Sequence, residues 1–124
     1  MSTIPKARIL VVDDEDDLRM LLDHVVSNAG YHVITATDGE EAISKIQNET
    51  FDVALLDIQM PNASGIEVLK YIQKNSPKTK AVMLTGYADL KFAMEAREYG
   101  AKDFINKPYM LDEIVEIIER VLAE

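Results

Sequence analysis

The feature that most constrains the fold is a regular alternation of short apolar runs with longer amphipathic segments. Three runs, at residues 9–12, 53–56 and 81–84, are continuously apolar, which is typical of central strands covered on both faces. Two more, at residues 32–36 and 103–106, include polar side chains and are predicted to be edge strands. Strands that alternate with helices in this way indicate βαβ units around a parallel sheet.

The amphipathic segments between these runs have the spacing of helices. In the first, apolar residues recur every three or four positions from Leu18 to Ala29, and Gly30 is expected to end the helix. Asp38 is a predicted cap for the second helix, Pro77 lies beyond the third, and Gly100 ends the fourth. The remaining predicted helices cover residues 42–46, 66–72, 88–99 and 111–122. We therefore predict one α/β domain over residues 1–124, a (βα)₅ fold with a doubly wound parallel sheet.

Composition narrows the class of protein. Apolar residues make up 48% of the chain, enough for a packed core, and there is no cysteine for a disulfide, a thiolate metal site or cysteine catalysis. The net charge of −9 disfavours direct binding to nucleic acid or to anionic membranes. The apolar runs are too short to span a bilayer, and the first eight residues contain no secretory signal. We expect a cytoplasmic protein.

Charged and hydroxyl side chains follow four of the five predicted strands. Asp13 and Asp14 come directly after the first run and Asp57 after the third, while Thr85 and Lys107 follow the fourth and fifth. In open α/β sheets, ligands bind beyond the carboxyl ends of the strands. Three acids, a hydroxyl and one cation are therefore predicted to meet at one rim.

Such a cluster of acids is predicted to bind a cation that offsets its negative charge. Three neighbouring carboxylates repel one another, and a single lysine does not compensate them. Carboxylates with water suit Mg²⁺ (or Mn²⁺), which would also neutralise the oxygens of an incoming phosphoryl group. A carboxylate is a competent nucleophile toward phosphorus and would give an aspartyl phosphate.

On these residues the sequence resembles the receiver domain of two-component response regulators, over residues 8–122. The motifs that carry the resemblance are Asp13-Asp14 after Ile-Leu-Val-Val, Asp57 with Met60-Pro61 and Gly65, Thr85-Gly86, and Gly100-Ala101 leading to Lys107-Pro108. The resemblance implies a flavodoxin-like three-layer sandwich with strand order 2-1-3-4-5. It also implies a cis peptide bond before Pro108.

The family also implies roles for the acids. Asp57 would be the phosphoacceptor, modified to 4-aspartylphosphate. Asp14 would bind the metal directly and Asp13 mainly through water, with the backbone carbonyl of Gln59 completing the protein ligands. Helix-terminal acids have an ordinary explanation in the helix dipole, which we accept for residues 15–17 and reject for Asp13 and Asp14.

Further residues match the family's switch and rate-modulating positions. Thr85 and Lys107 would each bind a phosphoryl oxygen, and Thr85 and Phe104 would form the conformational switch. Phe104 lacks the hydroxyl of the commoner tyrosine, so its two positions can differ only in packing and burial. Gln59 and Tyr87 would flank the route of attacking water and influence the lifetime of the phosphate.

The implied function is phosphorelay signalling. A sensor histidine kinase or phosphotransfer protein would phosphorylate Asp57, and the face formed by the fourth helix, fifth strand and fifth helix would then control a partner, an output domain or a second copy of the chain. Leu90, Phe92, Tyr99 and Tyr109 are candidates for a partly exposed partner surface around the fourth helix, and core packing is the expected alternative for at least two of them. Arg97 occupies a position that is more usually apolar, and no role is assigned to it.

Other functions are weighed against this one. A pseudo-receiver or dimerisation module would bind partners without phosphate, but such modules typically lose one of the acids, the threonine or the lysine. A phosphatase of the haloacid-dehalogenase type would need an acid where Gln59 stands. A flavin-binding protein would need hydroxyls and free amides where Asp13 and Asp14 stand. We expect no enzyme beyond promotion of its own phosphorylation and dephosphorylation.

Overall fold

The fold is a five-stranded parallel sheet between two layers of helices. In this computed structural model, the structure describes residues 7–58, 60, 63–86 and 90–124, with Leu90 described in its backbone alone. The strands are β1 (Arg8–Val12), β2 (His32–Ala36), β3 (Val53–Asp57), β4 (Lys80–Thr85) and β5 (Asp103–Asn106). Their spatial order is β2-β1-β3-β4-β5, and every neighbouring pair is parallel. The predicted order and the two predicted edge strands are confirmed.

One helix follows each strand. The helices are α1 (Asp16–Asn28), α2 (Gly39–Asn48), α3 (Gly65–Asn75), α4 (Leu90–Glu98) and α5 (Leu111–Ala123). The Asp38 carboxylate accepts a hydrogen bond from the backbone N–H of Glu41, as expected for the cap of α2. Gly30 and Gly100 follow α1 and α4 with φ of 100° and 93°, a left-handed conformation that glycine adopts without steric cost.

The alternation of side chains along the strands divides the core in two. On β1, Leu10 and Val12 contact the layer formed by α2, α3 and α4, whereas Ile9 and Val11 contact the layer formed by α1 and α5. All four residues are completely buried, as are the apolar residues at 53–56 of β3. The central strands are therefore covered on both faces, which explains their continuous apolar sequence.

The fourth helix is packed less closely than its neighbours. Among its described side chains only Ala96 is buried, compared with four buried side chains in α5. Within the part of the chain that the structure describes, no helix combines the length and apolar character needed to cross a membrane.

Candidate functional site

The three predicted acids meet at the carboxyl rim of the sheet. Asp13 directly follows β1 and Asp57 ends β3, and these two strands are paired neighbours. One carboxylate oxygen from each of Asp13, Asp14 and Asp57 lies within 4.8 Å of the others. Asp13 and Asp57 are buried, whereas Asp14 is exposed. We call these three acids, together with Lys107, the acidic pocket.

Lys107 supplies the positive charge of the acidic pocket. The residue follows β5, and its backbone N–H donates to the carbonyl of Thr85 at 2.8 Å. Its ammonium donates to Asp57 Oδ2 at 3.0 Å and lies 4.0 Å from Asp13 Oδ2. Glu15 Oε1 is a further neighbour at 3.8 Å. The ammonium of Lys107 thus lies within 4.0 Å of the carboxylates of Asp13, Glu15 and Asp57, and it forms a hydrogen bond with Asp57.

The charge balance of the acidic pocket affects ionisation of Asp57. Burial raises the pKa of this carboxyl from 3.8 to about 7; the charge of Asp13 acts in the same direction, and the hydrogen bond from Lys107 opposes both. Burial works against the charge of Lys107, but its hydrogen bond to Asp57 and the surrounding acids leave the lysine pKa raised. The cluster is short of positive charge, and its oxygen donors fit a hard divalent cation such as Mg²⁺.

Tyr109 is a member of the site that the sequence reasoning missed. Its hydroxyl donates to Asp13 Oδ2 at 3.0 Å, and its ring packs with the core between the sheet and the α1–α5 layer. Of the two predicted fates for Tyr109, a partner surface around the fourth helix or core packing, the structure shows core packing, because the chain turns toward Asp13 after Pro108. Its position two residues after Lys107, at the same rim, was the available signal. Phe92 and Tyr99 are 38% and 40% exposed, as a partly exposed partner surface requires, and the side chain of Leu90 lies outside the described part of the chain.

Thr85 lies one strand farther along the rim, at the end of β4. It is buried, and its hydroxyl donates toward two acceptors of β5, Asn106 Oδ1 at 3.1 Å and the carbonyl of Ile105 at 3.5 Å. The half-buried ring of Phe104 has the Arg97 guanidinium above it, with 5.7 Å between the guanidinium carbon and the ring centroid. We call Thr85, Asn106, Phe104 and Arg97 the Thr85 corner.

A cavity of about 710 Å³ opens at the Thr85 corner. Its described lining comes from β4, α4 and β5: Thr85, Gly86, Ala93, Met94, Arg97, Glu98, Phe104 and Asn106. Arg97, to which the sequence assigned no role, thus contacts the aromatic residue of the predicted switch. Sequence spacing gave no signal for this contact, because it depends on how α4 lies against β5.

Close backbone packing positions Asp57. A Cβ atom added at Gly65, the first residue of α3, would lie 2.1 Å from the carbonyl oxygen of Asp57. Glycine therefore lets the start of α3 approach the end of β3. The capping box of Ser64 and Glu67 fixes that helix terminus. The peptide bond between Lys107 and Pro108 is cis, as the resemblance implies.

Two residues with predicted roles, Gln59 and Tyr87, lie outside the described residues, as does Pro61. The structure brings the other predicted site residues to one rim, except Phe104, which lies two residues before the end of β5. Asp13, Asp14, Asp57 and Lys107 form the acidic pocket, and Thr85 and Phe104 lie beside it in the Thr85 corner.

Comparison with known proteins shows the family of the chain. The family model described as "Response regulator receiver domain" matches residues 9–119. The chain belongs to the response regulator receiver domain family. It is 37% identical over 115 residues to the chemotaxis protein CheY of Thermotoga maritima, covering 92% of this chain and 96% of that protein. A crystal structure of the receiver domain of NtrX from Brucella abortus superposes with a TM-score of 0.88 at 35% identity, covering 93% of this chain and 98% of that one.

Some relatives are much longer than this receiver domain. The regulatory protein AtoC of Escherichia coli is 37% identical over 115 residues, which are 93% of this chain but 25% of that protein. The chain likewise spans 24% of the transcriptional regulator NtrC of Salmonella typhimurium. The shared part is the receiver domain, whose role is phosphorelay signal transduction in two-component systems.

Proposed function

We propose that Asp57 is the phosphoacceptor of this receiver domain and that a sensor histidine kinase or phosphotransfer protein supplies the phosphoryl group. The observation that carries the proposal is the surroundings of the Asp57 carboxylate. It is 3% exposed at the end of β3, accepts a hydrogen bond from Lys107, and lies within 4.8 Å of Asp13 and Asp14. A buried carboxylate, two further acids and an ammonium group are therefore close together, and this set supports phosphoryl transfer to a carboxylate with the help of a cation.

Asp13, Asp14 and Asp57 are the described residues that would hold Mg²⁺ or Mn²⁺, and we propose the carbonyl of Gln59 as a further ligand. Bound Mg²⁺ would offset negative charge on the oxygens of the incoming phosphoryl group. The chain's part is to hold three carboxylates together and to leave Asp14 open to solvent at the entrance.

The reaction transfers phosphorus from nitrogen to oxygen. One oxygen of ionised Asp57 forms a bond to phosphorus as the bond from phosphorus to the donor's histidine nitrogen breaks. The electron pair of the broken bond stays on that nitrogen, and the imidazole leaves neutral when its other ring nitrogen carries a proton. Lys107 favours the ionised form of Asp57 and is placed to donate to a phosphoryl oxygen afterward.

The conformational response would begin at Thr85. In the present conformation its hydroxyl donates to Asn106, away from Asp57. An aspartyl phosphate offers new charged acceptor oxygens, and we propose that Thr85 turns toward them and that Phe104 moves into the space at the Thr85 corner. The face of α4, β5 and α5 would then bind or release a partner protein, an output domain or a second copy. Met94, which lines the cavity beside Phe104 and is exposed, supplies apolar surface there.

Other parts of the proposal concern the whole chain. We propose that residues 1–124 act as one receiver domain in the cytoplasm, without turnover of an external substrate, and that Gln59 and Tyr87 tune the lifetime of the phosphate. The net charge of −9 supports control of partners by protein contacts rather than direct binding to nucleic acid or membranes.

Incubation with a small-molecule phosphodonor tests the proposed acceptor. With Mg²⁺ and acetyl phosphate or phosphoramidate, intact-mass spectrometry should show a gain of one phosphoryl group that is stable in acid and labile in base. The gain should be absent from Asp57→Asn and without Mg²⁺, and present in Asp112→Asn, which changes an exposed acid of α5. An adduct that persists in Asp57→Asn would refute the assignment, and no adduct in the unmodified sequence would favour the phosphate-independent module.

A further inference from the structure

We infer that the hydroxyl of Tyr109 is a positioning group for Asp13 and that it sets the affinity of the acidic pocket for a divalent cation. The inference rests on the proposed cation site and adds a residue to it. Tyr109 comes from the connection between β5 and α5, whereas Asp13 follows β1, so their hydrogen bond of 3.0 Å joins two segments 96 residues apart.

The Asp13 carboxylate is held at both of its oxygens. Oδ1 accepts from the backbone N–H of Glu15 at 3.0 Å, and Oδ2 accepts from the Tyr109 hydroxyl. The residue is 0% exposed. Its backbone is also fixed, because the carbonyl accepts from Arg19 and the N–H donates to Ala36. Since a carboxylate oxygen can accept about two hydrogen bonds, each oxygen keeps capacity for a cation or a cation-bound water.

Lys107 does not duplicate the role of Tyr109. Its ammonium is 4.0 Å from Asp13 Oδ2, beyond hydrogen-bond distance, and is bonded to Asp57 instead. The lysine thus orients Asp57 and the tyrosine orients Asp13. A neutral hydroxyl fixes a carboxylate without adding positive charge, so the negative potential that attracts a cation is preserved.

The location of the tyrosine ring supports a positioning role. The ring packs against the core formed by β-strand residues, α1 and α5. Because packing restricts the position of the ring, the hydroxyl is held in a fixed place beside Asp13. Removal of an outer partner of a metal ligand typically weakens metal binding about 10–100-fold. Because Asp13 is one of three acids, we expect Tyr109→Phe to weaken Mg²⁺ binding by about 10-fold, at the lower end of this range.

Calorimetric titration of the unphosphorylated protein with MgCl₂ measures this directly, without a phosphodonor. Tyr109→Phe removes one oxygen atom and should weaken Mg²⁺ binding about 10-fold. Tyr99→Phe, which removes the hydroxyl of a 40% exposed tyrosine, should bind as the unmodified sequence does. Asp14→Ala supplies the reference for a broken site. An affinity for Mg²⁺ in Tyr109→Phe equal to that of the unmodified sequence would overturn the inference.

A double-mutant cycle separates positioning from a general loss of structure. If Tyr109 acts through Asp13, Tyr109→Phe should have no further effect on Mg²⁺ affinity in an Asp13→Asn background. An equal effect in both backgrounds would overturn the inference, as would a loss of Mg²⁺ affinity matched by a large fall in the melting temperature in EDTA. If the unmodified sequence itself binds no Mg²⁺, the proposed cation site fails, and the inference fails with it.

Discussion

The acidic pocket and the Thr85 corner lie side by side at one rim, but they are built differently. In the acidic pocket, Asp13 and Asp57 are buried and each accepts a side-chain hydrogen bond at 3.0 Å. In the Thr85 corner, the half-buried ring of Phe104 borders a cavity of about 710 Å³. The helix beside it, α4, has Ala96 as its one buried side chain among those described.

We propose that this difference separates the site of phosphoryl transfer from the site of the conformational response. Transfer of a phosphoryl group depends on groups held in fixed positions, since catalysis there is mainly positioning and charge stabilisation. A conformational response needs two arrangements of similar free energy, and a side chain can change its position only where neighbouring space can receive it. The space beside Thr85 and the weak packing of α4 meet that second need. We therefore expect substitutions in the acidic pocket to have large effects and substitutions in the Thr85 corner to have small ones.

The largest effect is expected for Gly65→Ala, which tests how tightly the acidic pocket is supported. The new Cβ would lie 2.1 Å from the Asp57 carbonyl oxygen, so either α3 or the end of β3 must move. Overpacking of this kind costs about 1–3 kcal/mol, and we expect about 3 kcal/mol in the free energy of unfolding measured with urea. Ala63→Gly, two residues before the start of α3 at a φ of 83°, should change the free energy of unfolding by no more than about 1 kcal/mol. Equal stability of Gly65→Ala would show that the pocket is loosely held.

The second prediction concerns pH and the charge of Asp57 in metal-free protein. The folded-state pKa is about 7, raised from 3.8, so the native state binds more protons at Asp57 than the unfolded state between these values. The contribution of Asp57 to stability is therefore fully present below about pH 4 and is lost as the pH rises toward 7. A change of 1 in pKa corresponds to about 1.4 kcal/mol, so the loss of stability should exceed about 1 kcal/mol.

Comparison of the free energy of unfolding with that of Asp57→Asn in EDTA separates the contribution of Asp57 from the contributions of the other acids. The free energy of unfolding of the unmodified sequence minus that of the variant should fall between pH 4 and pH 7. A constant difference across that range would mean that the acidic pocket does not penalise the ionised carboxylate.

The smallest effect is expected for Arg97→Ala in the Thr85 corner. The guanidinium lies over the Phe104 ring at an exposed position, where such contacts are worth about 0.5–1 kcal/mol. The free energy of unfolding should fall by no more than about 1 kcal/mol. The ring signals of Phe104 in NMR spectra should change, whereas the affinity for Mg²⁺ should stay the same. Arg97→Lys keeps the charge but loses the planar stack, so it should restore little. A destabilisation above about 2 kcal/mol would contradict the weak packing that we assign to this corner.

Much of the fold and the main site residues were predictable from local patterns. Continuously apolar runs identify the buried strands, and a polar residue directly after a parallel strand must lie at the carboxyl rim. This reasoning places Asp13, Asp57 and Lys107 together, and the structure confirms their proximity.

The missed residues depend on side-chain directions that the sequence does not encode locally. Tyr109 reaches Asp13 only because of the path of the chain after Pro108. Asn106 contacts Thr85, and Arg97 contacts Phe104, in each case on another element of the fold. Helical or strand spacing carries no information about these contacts. The space beside α4 is also a property of packing between elements, which composition does not indicate.

Amide hydrogen exchange before and after phosphorylation tests the separation of chemistry from response most directly. The protein is compared with Mg²⁺ alone and with Mg²⁺ plus phosphoramidate, alongside Asp57→Asn. We predict changed exchange in α4 and β5, unchanged exchange in β1 and β3, and no change in any element of Asp57→Asn. A phosphorylated protein whose α4 and β5 exchange as before, or an equal change in Asp57→Asn, would contradict the account.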